Sequence, residues 1–570
     1  MKILFLTHSF NSLAQRLFVE LTRRGHEISI EFDINDAVAI QAVEMYQPEL
    51  VIAPFLKRAI PEKIWRRKPC FIVHPGIIGD RGSSALDWAI MVGHQQWGVT
   101  ILQANGDMDA GDIWAAELFP MRLTRKSSLY RHEVVKAAAQ GVLTAVTRFQ
   151  SGNFKPMPLD YTRPDVLGRH HSQIRQTDRA IDWQEDNTNI ILKKIHAADG
   201  FPGVLDTLHG KPYYLFDACI EGTLRGNTPG EVIAKRNGAI CRATIDGAIW
   251  IGQLKRKTED ELSCKLSAEL ALKDHLAMVP EVPLDLFSSC HGETYRDIWY
   301  ERKHDVGYLH FAFYNGAMDT RQCERLREAY LTATHSDVRV IVLMGGPDFW
   351  SNGIHLNHIE HADSPADESL RNINAMNDLV CAILATPSQL TIAALQGNAG
   401  AGGVFLSLAA DYICARESVI LNPHYKSMGN LYGSEYWTYL LPRRVGEIQA
   451  KTITQKRLPV GASEARDLGL IDDCFALDQA NFKKKNEQLA EALAISPNYA
   501  ALLQNKVRQR EKDEQKKPLG TYRAEELRHM QLNFYGFDPS YHVARYHFVH
   551  KIPHAWTPLY LARHRHIRES

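Results

Sequence analysis

The sequence predicts a multidomain α/β protein: a parallel-sheet domain, a small β domain, a second α/β domain and a helical C-terminal tail. Three observations predict it. The 570 residues exceed what one core serves, at about 100–200 residues per domain. Strand-like apolar runs alternate with helical stretches in both halves of the chain. Between these halves, short strands are cut by Asn-Gly and Asp-Gly turns. With 45% hydrophobic and 23% charged residues the balance is that of a soluble globular chain. Lys plus Arg (66) equals Asp plus Glu (66), so no global field draws a polyanion. This argues against nucleic acid as the main partner and for small-molecule ligands.

Lys2 to Thr7 is a continuous apolar strand; Ser12 to Arg24 carries apolar residues at helical spacing and stops at Gly25, and His26 to Phe32 is the next strand. Leu50 to Ala53, a helix near Pro61 to Arg67, the strand Cys70 to His74 and a helix across Ala85 to Val92 continue the alternation. Such a pattern implies a parallel sheet under helices, with ligands beyond the carboxyl ends of the strands. LTHSFNS follows the first strand in place of G-x-G-x-x-G, so a dinucleotide cofactor is not indicated. Residues 163–228 are rich in turn formers, and strands within 230–254 break at Asn237-Gly238 and Asp246-Gly247, a hairpin pattern. MVPEVPLDLF reads as a linker. Asp305 to Phe313, Val338 to Met344 and Leu390 to Leu395 read as buried strands, and from Phe482 the chain is charged and helical before a His- and Arg-rich end. The nine cysteines (Cys70, Cys219, Cys241, Cys264, Cys290, Cys323, Cys381, Cys414, Cys474) contain no C-x-x-C pair and read as reduced thiols. With no signal-peptide core and no apolar run of about 18 residues, a cytoplasmic enzyme without a membrane partner is expected.

Two segments carry a first constellation: FIVHPGIIGDRGSSALDWAI with His74, and GVTILQANGDMDAGDIW with Asp109. A histidine and a carboxylate at adjacent strand ends can relay a proton between an acyl donor and an acceptor; a capped turn is the alternative. Together, PFLKRAIP, the H-P-x-x-x-x-x-R-G stretch from His74 to Gly82, GVTI, MDAG and IDW resemble the formyltransferases that use 10-formyltetrahydrofolate, among them the methionyl-tRNA and glycinamide ribonucleotide enzymes. The resemblance covers roughly residues 1 to 255. It implies a formyltransferase-like domain over 1–155 and a formyltransferase C-terminal-like, OB-like β domain over 156–280. It also implies that His74 polarises the formyl group, Asp109 orients a proton-carrying water, and Phe55, Leu56, Lys57, Arg58 and Ser83 hold the folate. One departure stands out: the family carries Asn two residues before its histidine, where this chain has Ile72. Loss of such an oxyanion donor costs about 2.7–4 kcal/mol. A thiol acceptor, a stronger nucleophile than an amine, needs less help.

FWSNGIHL and QGNAGAGGVFLSLAAD form a second constellation, paired turns whose backbone amides can stabilise an oxygen gaining charge; close packing of small residues is the alternative. With LLPRRVG and the A-x-x-x-G-L pattern of Ala465 to Leu470, residues 305–480 resemble the enoyl-CoA hydratase/isomerase, or crotonase, family, which binds acyl-CoA thioesters. This implies a linker over 281–300, a crotonase-like domain over 301–480 and a helical extension over 481–570. It implies an oxyanion hole from the amides of Ile354 and Gly402, and coenzyme A contacts at Ser351 and Gly403. The positions of the hydratases' two glutamates fall on Phe405 and His424, so water addition to a double bond is not expected. NPHYKSMGNLYGSEYW instead offers His424, Tyr425, Tyr432 and Glu435 as acid and base groups. A carboxylate desolvated in an apolar pocket has its pKa raised, which suits proton transfer. The alternatives are core aromatics and a surface glutamate. Arg443 and Arg444 reach either the phosphates of coenzyme A or nearby acids. His547, His550, His554, His564 and His566 lack accompanying carboxylates at ligand spacing and are interrupted by Pro553. They read as a basic surface or partner-docking segment, and no metal is expected.

The fusion as a whole resembles the HypX/HoxX family of hydrogenase maturation factors. It implies formyl transfer from 10-formyltetrahydrofolate to coenzyme A, then decarbonylation of formyl-CoA to carbon monoxide for the iron of [NiFe] hydrogenase, with transient contacts to other maturation proteins. Hydrolysis of formyl-CoA to formate, and a degraded scaffold that only binds folate and coenzyme A, stay open at this point; Ile72 and Phe405 favour the scaffold.

Overall fold

The first sheet is built from β1 (Lys2–Thr7), β2 (Glu27–Phe32), β3 (Leu50–Ala53), β4 (Cys70–His74), β5 (Gln96–Gln103) and β6 (Ile113–Pro120), in the order β2-β1-β3-β4-β5-β6. The computed structural model describes residues 1–259, 262–288 and 293–566; Cys290 and part of the expected linker lie outside these. β1 to β4 are parallel, and β5 and β6 add antiparallel strands at one side. The continuous apolar runs of β1 and β3 match burial on both faces. Helix Ser12–Arg23 is capped by the Asn11 side chain, which accepts from the Ala14 N–H, and turns Leu13, Leu17 and Leu21 into the core. Pro75, which has no N–H to donate, follows β4 directly, so the strand stops at His74.

The second sheet is antiparallel and comprises β7 (Val204–Leu208), β8 (Lys211–Glu221), β9 (Val232–Arg236), β10 (Ala239–Ala243), β11 (Ala248–Arg256) and β12 (Lys265–Ser267). Its order is β7-β8-β11-β10-β9, with β12 on β11. Asn237 and Gly238, both at positive φ, close the β9–β10 hairpin where the sequence placed it. Ile191 and Ile195 of helix Thr188–Ala198 pack on Leu215, Ile240 and Ile251 of this sheet.

The remaining strands are β13 (Ile298–Lys303), β14 (Val306–Phe311), β15 (Val340–Leu343), β16 (Phe349–Ser351), β17 (Leu390–Leu395), β18 (Asn398–Gly400), β19 (Tyr412–Arg416), β20 (Ile420–Asn422), β21 (Val460–Gly461) and β22 (Asp473–Phe475). They form two sheets, β13-β14-β15-β17-β19-β22 and the smaller β16-β18-β20-β21. Leu519, Met530, Phe534 and Tyr541 of the C-terminal helices Leu519–Tyr535 and Ser540–His550 share one core with Phe405, Tyr425 and Leu441. The C-terminal helices are thus packed into the second α/β unit. No helix among the described residues is long and apolar enough to cross a membrane.

The three units meet at Asp348, which accepts from Ser128 and pairs with Arg125 and His132 of the first unit, while Arg125 also pairs with Asp217 of the β unit. The His- and Arg-rich end, expected as a basic surface or partner-docking segment, leaves His547, His554 and His566 exposed and packs in part on the first sheet. The Ile30 N–H donates to the Leu561 carbonyl, the Thr557 hydroxyl accepts from the Phe32 N–H, and His554 stacks on Phe32. His564 Nε2 and Arg565 Nε lie 2.9 and 2.7 Å from the buried Glu31 carboxylate, and His550 lies 3.4 Å from Glu360. An edge strand with unpaired amides and a buried carboxylate both need partners, and the end of the chain provides them.

Candidate functional site

His74 ends β4, buried between two carboxylates. Its Nε2 lies 2.9 Å from Asp80 Oδ1 and its Nδ1 lies 3.6 Å from Asp109 Oδ2. An ionised carboxylate only accepts, so Nε2 carries the proton donated to Asp80 and Nδ1 is the atom turned toward Asp109. A Cβ on Gly76 would stand 2.3 Å from His74 Nε2, so only glycine lets the turn pass beneath the ring. The pair His74 and Asp109 is brought together, but not from adjacent strand ends. β5 runs antiparallel with Thr100 opposite His74, and the loop after Gln103 folds back to bring Asp109, at φ 52°, to the ring. Asp109 Oδ2 also accepts from the Gly82 N–H at 3.2 Å.

Asp80 was not singled out from the sequence. Its signal is a carboxylate six residues after the histidine, within a Gly-rich turn that brings it under the ring. Ile72, on the same face of β4 as His74, packs against the apolar cluster that holds Ile64, and provides no donor. The Phe55–Arg58 loop leaves β3 at the strand end beside His74. The Phe55 carbonyl accepts from the His8 N–H at 2.7 Å, the Lys57 N–H donates to Asp33 Oδ2 at 3.2 Å, and Arg58 pairs with Asp36 at 2.8 Å. Ser83 is exposed, one residue after Gly82.

The second constellation also assembles. Gly402 opens helix Gly402–Leu408 after Ala401, held at φ 47°. A Cβ on Gly353 would stand 3.3 Å from the Gly402 N, so the two turns touch. Among the described residues neither the Ile354 nor the Gly402 amide is engaged by a backbone partner, as the first turn of a helix allows. Ser351 is buried with its hydroxyl accepting from the Gly353 N–H at 3.1 Å; a Cβ on Gly403 would meet the Ser351 carbonyl, and the Gly403 carbonyl accepts from Trp350 Nε1 at 2.9 Å. Ser351 and Gly403 therefore shape the turn.

Glu435 is buried, and a Cβ on Gly402 would lie 2.1 Å from its Oε1. Its Oε2 accepts from the Tyr425 hydroxyl and from the Ser434 N–H. Burial pushes the Glu435 carboxyl up to about 8; the charge of Glu526 adds to this, against the bonds from Tyr425 and Ser434. Burial and the same carboxylate hold the Tyr425 phenol well above its usual range. Phe405 stacks on Tyr425 with ring centroids 5.3 Å apart, so the hydratase glutamate position has become an apolar wall.

His424 and Tyr432 are not brought to this carboxylate. His424 is buried and neutral, lowered to about 4 by desolvation and then by Arg457. Tyr432 stacks on His529, and its N–H donates to Asn533. Arg444 pairs with Asp472 at 2.9 Å and Arg443 stands 3.7 Å from Asp513, so nearby acids engage both.

Two further residues were missed. Asn377 Oδ1 accepts from the Glu435 N–H at 2.7 Å, and Glu526 contacts the same segment from helix Leu519–Tyr535. Glu526 falls on the buried stripe of Leu519, Met530 and Phe534, and an acid on an apolar helical stripe is the signal that finds it.

The sequence matches three family models: formyl transferase over residues 31–146, formyl transferase C-terminal domain over 173–268, and enoyl-CoA hydratase/isomerase over 313–542. The last match includes the helix carrying Glu526. The chain is 52% identical over 565 residues, 99% of its length and 97% of the other's, to the hydrogenase maturation factor HoxX of Bradyrhizobium diazoefficiens. Among solved structures, HypX from Aquifex aeolicus in complex with tetrahydrofolic acid superposes with a TM-score of 0.96 at 46% identity, covering 100% of both chains. A variant of the same protein reaches 0.97 at 46% identity, again over 100% of both.

Proposed function

The chain belongs to the HypX/HoxX family of hydrogenase maturation factors, and on that premise we propose that it moves a formyl group from 10-formyltetrahydrofolate to coenzyme A and then releases carbon monoxide from formyl-CoA. The observation that carries this reading is the Glu435 carboxylate, buried with Oε2 held by Tyr425 and Ser434 and Oε1 set against Gly402.

At the first site, Asp80 fixes the His74 ring and Asp109 faces its second nitrogen. With Nε2–H committed to Asp80, the ring polarises the formyl oxygen when it also carries a proton on Nδ1, and a water held by Asp109 carries the proton to the departing folate nitrogen. The acceptor is the thiolate of coenzyme A. It attacks the formyl carbon with little help, which fits a site where Ile72 replaces a donor. The Phe55–Arg58 loop and Ser83 border the folate.

At the second site, the thioester oxygen rests on the amides of Ile354 and Gly402. Glu435 takes the formyl proton. The C–H electron pair stays on carbon as the lone pair of carbon monoxide, an oxygen lone pair completes the C–O triple bond as the C–S bond breaks, and the sulfur leaves with its pair. Tyr425 holds Glu435 in place and lies toward the leaving sulfur, which then receives the proton from Glu435. The balance is formyl-CoA to carbon monoxide and coenzyme A, with no water consumed. A carboxyl raised to about 8 has proton affinity matched to neutral operation, and Phe405, stacked on Tyr425, adds apolar surface beside it. The carbon monoxide serves the iron of [NiFe] hydrogenase, and transient contacts with other maturation proteins are part of this proposal.

The test supplies ¹³C-formyl tetrahydrofolate, coenzyme A and the protein, and traps gas with reduced haemoglobin. Labelled carbon monoxide is expected; labelled formate without it contradicts the reading and favours hydrolysis.

A further inference from the structure

The carboxylate of Glu526 is fully buried on helix Leu519–Tyr535 and takes four donors from one short segment. Oε2 accepts from the Ser434 hydroxyl at 3.2 Å and the Tyr436 N–H at 3.0 Å, and Oε1 accepts from the Thr438 N–H at 2.9 Å and the Thr438 hydroxyl. That segment is strained: Glu435 and Tyr436 are successive non-glycine residues at φ 57° and 59°. Such a conformation persists only where its surroundings over-determine it. Helix Trp437–Val445 starts immediately after, and Tyr436, its N-cap, contributes no side-chain cap. Glu526 does that work from another helix, presenting negative charge and acceptors to a helix N-terminus. On the other side Asn377 holds the Glu435 N–H.

We propose that Glu526 is a positioning residue for the second site, holding the left-handed Glu435–Tyr436 turn so that the Glu435 carboxylate stays aimed at Gly402. The role of Glu435 in turnover rests on the reading above; the hold that Glu526 exerts on it does not.

Electrostatics point the same way. Glu526 is itself raised to about 7, first by burial, and its charge in turn raises Glu435. The other titratable groups facing Glu435 are Tyr425 and Cys323. Tyr432 faces Glu526, and Arg523 near Tyr436 is paired with Asp378. Neither carboxylate has a cationic partner among these, so removing the charge of Glu526 makes Glu435 easier to ionise.

The experiment compares the full-length wild type with Glu526→Ala and Glu526→Gln. Glu526→Ala is expected to lower kcat for formyl-CoA consumption about 100-fold, the loss that follows misplacement of a reacting group by an ångström. KM should change little, and folate-dependent formyl transfer at the first site should be retained. Glu526→Asp should retain part of the kcat lost in Glu526→Ala. Independently of any substrate, the infrared carboxyl band lost in Glu435→Gln is expected to titrate near pH 8 in the wild type and to move down by about one pH unit in Glu526→Gln, as loss of a neighbouring like charge requires. Wild-type kcat in Glu526→Ala, or an unmoved Glu435 band in Glu526→Gln, overturns the proposal. If Glu526→Ala fails to fold, Glu526→Gln decides alone. If the wild type consumes no formyl-CoA, the earlier reading falls while the infrared titration still judges Glu526.

Discussion

Substituting Gly402 by alanine separates the two half-reactions with a single methyl group. The backbone at Gly402 is helical and not left-handed, so alanine is conformationally allowed there and favours a helix by about 1 kcal/mol over glycine. The added Cβ, however, would stand 2.1 Å from Glu435 Oε1 and 2.7 Å from its carboxyl carbon. Van der Waals contact requires the carboxylate to retreat by about 1 Å, and a shift of that size costs on the order of 100-fold in rate. Retreat is opposed on the far side by Tyr425 and by Asn377 on the Glu435 N–H. Gly402→Ala should therefore melt near the wild-type temperature and form formyl-CoA from formyl-folate and coenzyme A at the normal rate. Formyl-CoA should then accumulate, detected by chromatography of the thioester. Wild-type rates of formyl-CoA consumption would refute the placement of Glu435 over Gly402 as the working geometry.

Other consequences follow from the same contacts. Asp80→Asn presents an amide that can donate to His74 Nε2 and so permits the other tautomer; formyl transfer should fall about 100-fold while formyl-CoA consumption stays unchanged. The rate of formyl-CoA consumption should rise with pH through about 8 as the Glu435 carboxylate forms, and a pH profile flat between 6 and 9 contradicts its role as base. The folded-state pKa of Glu435 lies above its unfolded value, so the folded protein binds the extra proton. Its contribution to stability is present below about 4.5 and is lost as pH rises through about 8. Glu435→Gln should thus melt above the wild type at pH 9 and lose that advantage toward pH 5, measured by calorimetry. Glu31→Ala removes the acceptor of His564 and Arg565 and should destabilise the protein by about 3 kcal/mol, with residues 554–566 becoming sensitive to limited proteolysis.

Much of the fold was legible because its strands carry uninterrupted apolar runs between clear stops. Leu50 to Ala53, Cys70 to His74 and Ala85 to Val92 lie where periodicity puts them, and Asn237-Gly238 marked its hairpin by turn chemistry alone. The antiparallel direction of β5 was not legible, since local pattern carries no strand orientation, and with it went the fold-back of the Asp109 loop. Tyr425 and Glu435 were within reach because one turn of ten residues joins them. His424 and Tyr432 share that segment but point elsewhere, and residue type does not report direction. Asp80 needed the path of the turn below His74. Glu526 and Asn377 belong to helices far away in sequence, and only the packed core brings them to Glu435. The docking of the chain end on β2 was hidden for the same reason: the partner of His564 is Glu31, more than 500 residues away.

The path of the formyl hydrogen tests the central claim most directly. With formyl-CoA deuterated at the formyl carbon, the account predicts that deuterium appears in solvent water in step with carbon monoxide, and that Glu435→Gln stops both. Deuterium retained on carbon, as deuterated formate, would contradict proton removal by Glu435.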